Sequence, residues 1–232
     1  YLWNEFIPTD IDYARESDPE AFFFKLLYRD LDKWSQITGD YPKLQSELNG
    51  DPVTMGYRPA FYLIENNNVI IVVSYVYPGS PAEEAGLKRG DIILSIDNKQ
   101  LNTTNYQSLY SETSYQVQLG AVVGNSLVYT GKSLNMTART TMTDPAIYHQ
   151  LFEQEGHKIG YLVYVEFIKG PNEMYLRQLD NIFNEFKAEG ISDLIIDLRY
   201  NPGGEVDAAV YLASLIAPAP VATGNETLVN LN

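Results

Sequence analysis

Cysteine does not occur anywhere in the 232 residues, which excludes disulfides, thiol catalysis and cysteine-ligated zinc. Basic residues are few, 16 against 30 acidic, and the resulting charge of −14 makes a surface that repels phosphate backbones. Nucleic acid is therefore no expected partner. Histidine occurs only as His149 and His157, both in a stretch that reads as a linker, so a Ser-His-Asp relay finds little support. No metal and no cofactor is expected. No apolar run comes near the about 18 residues that a membrane-spanning helix needs. The chain opens at Tyr1 without a methionine or a signal-type segment, and reads as a mature or trimmed form.

What remains is a globular composition. Hydrophobic residues make up 45% and aromatic ones 12%, enough for buried cores rather than disorder. The length suits two compact units better than three large ones. Residues 1–50 read as helical: Asp18-Pro19-Glu20 starts a helix in which Phe22, Phe23, Leu26 and Leu27 recur at helical spacing, and Leu31 and Trp34 continue that stripe as core. Asn49-Gly50-Asp51-Pro52 marks one boundary and Asp144-Pro145 a second. Between them strands are expected over 60–64, 69–76, 117–123 and 133–138, with a helix over 102–111. Beyond the second boundary come a strand over 159–167 and a helix over 172–188 that buries Leu176, Leu179, Ile182, Phe183 and Phe186. A further strand and a last helix follow, and this βαβα order implies parallel strands with right-handed crossovers.

Two stretches carry chemistry. In Asp193-Leu194-Ile195-Ile196-Asp197-Leu198-Arg199-Tyr200-Asn201-Pro202-Gly203-Gly204, residues 194–198 read as a strand buried on both faces. Proline and two glycines then break the pattern and bare their N–H groups. Helical periodicity resumes over 205–216, with Val206, Ala209, Val210, Leu212 and Ala213 on or near one face. Such a junction can hold an oxyanion, or it is a tight turn with no chemistry. Asp197 is read as pairing with Arg199 or capping the turn. In the second stretch, Ser80 is expected to cap a short helix with Pro81 first and Glu83 and Glu84 in its first turn. Gly86 ends that helix, Gly90-Asp91 turns, and residues 92–96 form a strand.

The run Ser80-Pro81-Ala82, Ala85-Gly86-Leu87, Gly90-Asp91-Ile92-Ile93 and Ile96-Asp97 resembles the signature of PDZ domains of bacterial envelope proteases. Followed by Asp197-Leu198-Arg199-Tyr200-Asn201-Pro202-Gly203-Gly204, it resembles the C-terminal processing peptidases, the tail-specific serine proteases, in their Bacteroides-type form. Tyr1-Leu2-Trp3, Ile7-Pro8, Asp18-Pro19-Glu20-Ala21-Phe22-Phe23, Asp32-Lys33-Trp34-Ser35 and Lys158-Ile159-Gly160-Tyr161-Leu162 extend the resemblance over most of the chain.

The resemblance implies a multi-domain α+β chain: an N-terminal helical segment over 1–50, a PDZ-like β-rich peptide-binding domain over 55–142, and the first part of an α/β, ClpP/crotonase-like peptidase core over 146–232. It implies a serine endopeptidase, with a Ser/Lys dyad, that cleaves exported proteins selected partly through their C-termini. Export also implies a periplasmic or envelope location, with a lipoprotein anchor and an oligomer both compatible. One glycine of the pair Gly203 and Gly204 would give half of the oxyanion hole through its N–H; the sequence does not choose between them. The family's serine and lysine follow this turn, yet after Gly204 the only serine is Ser214, mid-helix, and no lysine follows Lys187. The dyad is expected beyond residue 232, so this chain alone is expected to be inactive.

The peptide groove is expected between the strand Ala60-Phe61-Tyr62-Leu63 and the helix around Tyr106 and Tyr110, with a carboxylate loop at 56–61 that includes Tyr57 and Arg58. Arg58-Pro59 departs from the family's glycine pattern and removes one N–H donor. Arg58 supplies charge instead, or the unit is regulatory or degenerate. Apolar C-termini are the expected ligands. A non-catalytic peptide-binding envelope protein is the alternative reading, and a scaffold role the third.

Overall fold

The computed structural model describes residues 3–33, 35–218 and 221. Residues 1–45 and 46–232 form two compact units.

In the first unit Asp18 starts helix α1 (Pro19–Leu26), its carboxylate accepting the N–H groups of Glu20 (2.9 Å) and Ala21 (3.2 Å). This satisfies two of the orphan donors of the first turn, and Pro19 sits where no N–H is needed. The expected stripe is cut short. Leu27 is already extended, Leu31 is exposed, and Phe22, Phe23 and Phe24 are only half-buried. So small a unit lacks the volume to enclose them. The expected role of Trp34 lies outside the described residues. Helix α2 (Tyr41–Asn49) leads into the second unit.

There β1 (Val53–Thr54), β2 (Tyr57–Leu63) and β3 (Val69–Val76) precede the short helix α3 (Pro81–Glu84). Next come β4 (Ile92–Ile96), β5 (Lys99–Gln100), helix α4 (Tyr106–Tyr110), β6 (Ser114–Val123), β7 (Ser126–Thr137) and β8 (Arg139–Thr140). The antiparallel order is β2-β3-β4-β6-β7, with β5 on β4 and β1 paired to β8. Alternating residues fill the core: Ile71, Ile93, Ile96, Leu101 and Val117 are fully buried. Ser80 caps α3 as expected, accepting the Glu83 N–H at 3.2 Å, while the Glu83 carboxylate accepts the Gly79 N–H at 2.7 Å. The helix expected over 102–111 shrinks to α4, because the Asn102 side chain makes a turn with Thr104 and Asn105 instead.

The last part holds β9 (Tyr148–Gln154), β10 (His157–Val163), α5 (Met174–Glu189), β11 (Asp193–Asp197) and α6 (Val206–Ile216). Strand β11 lies parallel to β10, and β9 antiparallel to it. The stretch read as a linker is thus a hairpin, closed by Glu155 and Gly156, both at positive φ. Helix α5 buries Leu176, Leu179, Ile182 and Phe186, with Tyr175 added and Phe183 only partly covered. On α6 the buried residues are Ala208 and Leu212, whereas Val206 is exposed. Strand β11 is not buried on both faces: among the described residues it pairs only with β10, Ile195 is 50% exposed, and Leu198 just beyond it 43%.

Candidate functional site

The glycine turn is built from three sides. Leu162 and Tyr164 anchor the end of β10 in the core, and the chain beyond it reaches Phe167. Phe167 pairs with the turn in parallel: its N–H donates to Gly203 O at 2.9 Å, and its own O accepts the Glu205 N–H at 2.6 Å. Gly204 lies against this segment at φ +136°, and a Cβ there would sit 2.2 Å from Phe167 O. Only glycine fits. Asn201 ties the middle of the turn, its Oδ1 accepting the Gly203 N–H at 2.8 Å and its Nδ2 donating to Tyr164 O at 3.2 Å.

The two glycines now differ. The Gly203 N–H is used inside the turn. In the parallel pairing the Gly204 N–H points away from Phe167, and among the described residues it meets no acceptor. It is the free donor of the turn.

Asp197 pairs with Arg199, as the sequence suggested. Its carboxylate takes the Arg199 Nε at 2.9 Å, the Arg199 backbone N–H at 3.1 Å and the Tyr161 hydroxyl at 2.7 Å. The Arg199 bonds hold the Asp197 carboxyl well below the usual carboxylate range, against a smaller opposing effect of burial. A carboxylate so held is no proton acceptor. Ser214, half-buried on α6, donates to Tyr211 O at 2.7 Å, an ordinary helix back-bond.

Ser192, His157 and Asp193 lie together but form no relay. Asp193 Oδ2 accepts from the serine at 2.7 Å and meets His157 Nδ1 at 3.0 Å, and the serine faces that same nitrogen. A relay needs the serine and the acid on opposite ring nitrogens. All three are exposed, and His157 begins a strand rather than lying in a linker.

The expected groove residues separate into two groups. The Phe61 ring packs against Tyr106 (5.2 Å) and Tyr110 (5.3 Å), and Tyr57 packs against Tyr110 at 6.0 Å. These four rings pack together between β2 and α4. Tyr57 is buried, with its hydroxyl 2.9 Å from that of Tyr115. Tyr62 and Leu63 are exposed and take no part in this packing, and Ala60 is half-buried. The expected carboxylate loop at 56–61 is not a loop. From Tyr57 onward it is strand, paired Tyr57 to Val76 and Arg58 to Tyr75, with a bulge between Arg58 and Pro59. Pro59 is tolerated because β2 is an edge. Arg58 is exposed, and its field opposes the burial that raises the Glu166 carboxyl. The sequence reading did not single out Asn201 as the organiser of the turn or Tyr200 as a contact. Asn-Pro-Gly is a sequence signal for such a side-chain turn; nothing in the sequence points to the partner of Tyr200.

Three family profiles match in one collinear order: the peptidase S41 N-terminal domain over 1–36, a PDZ domain over 72–114 and peptidase family S41 over 158–227. A solved structure from Bacteroides fragilis, described as an S41 protease, is 31% identical, with a TM-score of 0.68 over 94% of this chain and 57% of that one. The carboxyl-terminal-processing protease of a Picosynechococcus is 28% identical over 73% of this chain and 38% of that protein. The carboxy-terminal processing protease CtpA of Bacillus subtilis is 27% identical over 65% of this chain and 31% of that protein. The chain therefore spans well under half the length of these curated relatives. With N-terminal, PDZ and peptidase segments in the family's order, and a glycine turn that only glycine can make, the chain belongs to the C-terminal processing peptidases of family S41.

Proposed function

We propose that this chain provides the substrate-recognition and oxyanion-binding parts of a serine endopeptidase that selects proteins partly by their C-termini. One observation carries the reading: the Gly204 N–H is held outward by a backbone pairing that tolerates no side chain, and no acceptor occupies it among the described residues. A donor preorganised in this way is worth about 3 kcal/mol when negative charge develops on a carbonyl oxygen. Gly204, not Gly203, is then the oxyanion donor.

The nucleophile and base of this reading lie outside residues 1–232. That is supported by the back-bonded Ser214 and by the lack of lysine after Lys187. The serine oxygen would attack the scissile carbonyl carbon and pass its proton to a lysine amine. Burial must depress the pKa of that lysine for it to accept. The amine leaving group then takes the proton, and water hydrolyses the acyl-enzyme.

Recognition is assigned to the β2 edge, where a C-terminus can add as a further strand beside Phe61, Tyr106 and Tyr110, with Arg58 facing its carboxylate. The parts 1–50, 55–142 and 146–232 would then be helical segment, recognition unit and peptidase part. Action outside the cytoplasm belongs to the same reading and rests on the family resemblance.

The test is cleavage by the full-length protein of peptides ending in a free carboxylate or an amide, alongside calorimetric titration of both. Cleavage with tighter binding of the free carboxylate supports the reading. Equal binding of the two removes Arg58 from it. Binding without cleavage assigns the protein to the non-catalytic peptide-binding class.

A further inference from the structure

Tyr200 lies just outside the glycine turn, and its ring packs against a cluster shared by both parts, Tyr75 and Tyr77 with Val163 and Val165. Its centroid is 5.7 Å from that of Tyr75 on β3, with the planes at 58°, and the Arg89 guanidinium carbon stands 5.2 Å from it over the ring. Among the described residues Arg89 has no carboxylate partner, so the ring face is where its charge is directed. Tyr75 is itself fixed edge-on to Tyr77 at 5.3 Å, and both are buried in one cluster with Val163 and Val165. Tyr75 is also the register partner of Arg58 on β2, the open edge. On its other side Tyr200 is bonded directly to Asn201, whose side chain holds the Gly203 N–H. A short path therefore runs from the β2 edge through Tyr75 and Tyr200 to the turn.

We propose that Tyr200 is a positioning residue, clamped between Tyr75 and Arg89 of the PDZ-like part, and that this clamp fixes the direction in which the Asn201–Gly204 turn presents its free N–H. The proposal rests on the reading of Gly204 as the oxyanion donor. It makes the geometry of the turn depend on the recognition unit, through the contacts of Tyr75 and Arg89 with Tyr200. A ring that only filled space would be replaceable without effect on turn order.

Hydrogen exchange read by mass spectrometry on the full-length protein tests the clamp, with Tyr200→Ala, Tyr200→Phe and Arg89→Gln compared to wild type. Tyr200→Ala should speed exchange of the 199–205 amides about tenfold, the scale of one lost aromatic contact and one lost cation–π contact, while α5 stays protected. Tyr200→Phe keeps the ring and should stay within about twofold of wild type. Arg89→Gln should fall between them. In cleavage assays Tyr200→Ala should lower kcat and leave KM for the peptide unchanged, and Tyr200→Phe should restore kcat.

Unchanged 199–205 exchange in Tyr200→Ala overturns the clamp. If that variant also loses protection in α5, Arg89→Gln decides, and wild-type exchange there overturns it. A protein that cleaves nothing, yet shows the graded exchange, keeps the clamp and loses the peptidase reading. One that cleaves at an unchanged kcat in Tyr200→Ala keeps the reading and loses the clamp.

Discussion

Replacing Gly204 by alanine tests whether the turn depends on close backbone approach. The added Cβ would lie 2.2 Å from Phe167 O, 2.9 Å from its carbonyl carbon and 3.1 Å from its Cα. All three are backbone atoms, so no side chain can swing aside. The residue also holds φ +136°, a region that costs a non-glycine about 1–3 kcal/mol. Relief requires Phe167 and the turn to separate, which gives up the Phe167 N–H bond to Gly203 O and the Glu205 N–H bond to Phe167 O. At about 1 kcal/mol each, these bring the total to about 3–5 kcal/mol.

Gly203→Ala is the internal control. Its φ is +117°, but no atom lies within 4 Å of the added Cβ, so only the dihedral cost of about 1–3 kcal/mol applies. With a urea slope of about 2–3 kcal/mol/M, Gly204→Ala should lower the unfolding midpoint by about 1–2.5 M and Gly203→Ala by about 0.3–1.5 M. Circular dichroism at increasing urea measures both. Equal midpoints for the two variants would refute the argument, since they share a strained φ and differ only in the approach of Phe167.

Acid should act on Asp197. Its folded pKa is depressed, so its stabilisation is present above the ordinary carboxylate range and lost as pH falls through that range; Asp197→Asn should flatten the fall of the urea midpoint between about pH 5 and pH 2. Glu166 has the opposite sign. Burial raises its folded pKa, so the folded chain holds an extra proton and stability falls as pH rises from the ordinary carboxylate range through the raised value. Glu166→Gln should therefore melt higher than wild type at pH 7, and the gap should close as pH falls below about 4, where the unfolded state also takes up the proton. Leu179→Ala removes a fully buried side chain from beneath the sheet and should cost about 2–5 kcal/mol, read as a lowered urea midpoint.

Much of the PDZ-like part was legible because its signals are local. Ser80, Pro81, Glu83 and Glu84 specify a helix start within one turn, and the apolar run Ile92–Ile96 specifies a core strand next to it. Strand β9 was illegible for a related reason. Tyr148-His149-Gln150-Leu151-Phe152-Glu153-Gln154 is mostly polar, because it lies at the sheet's outer edge and only pairing with β10 makes it a strand. The same cause misled the reading of β11, whose aliphatic run suggests burial on two faces while Ile195 stands half in solvent. The carboxylate loop failed because Arg58-Pro59 looks like loop chemistry; a bulge on an edge strand accommodates it.

By itself the sequence determined the order of the parts, the glycine turn and the exclusion of thiol and disulfide chemistry, and it narrowed Asp197 to pairing with Arg199 or capping the turn, since each rests on residue type and short spacing. Only the tertiary structure decided which glycine has a free N–H, because that depends on the parallel pairing of Phe167, far away in the chain. It also decided that four aromatic rings pack together between β2 and α4, and that Tyr200 reaches Tyr75 and Arg89. Contacts between residues distant in sequence leave no periodicity to read; they exist only once the chain has folded them together.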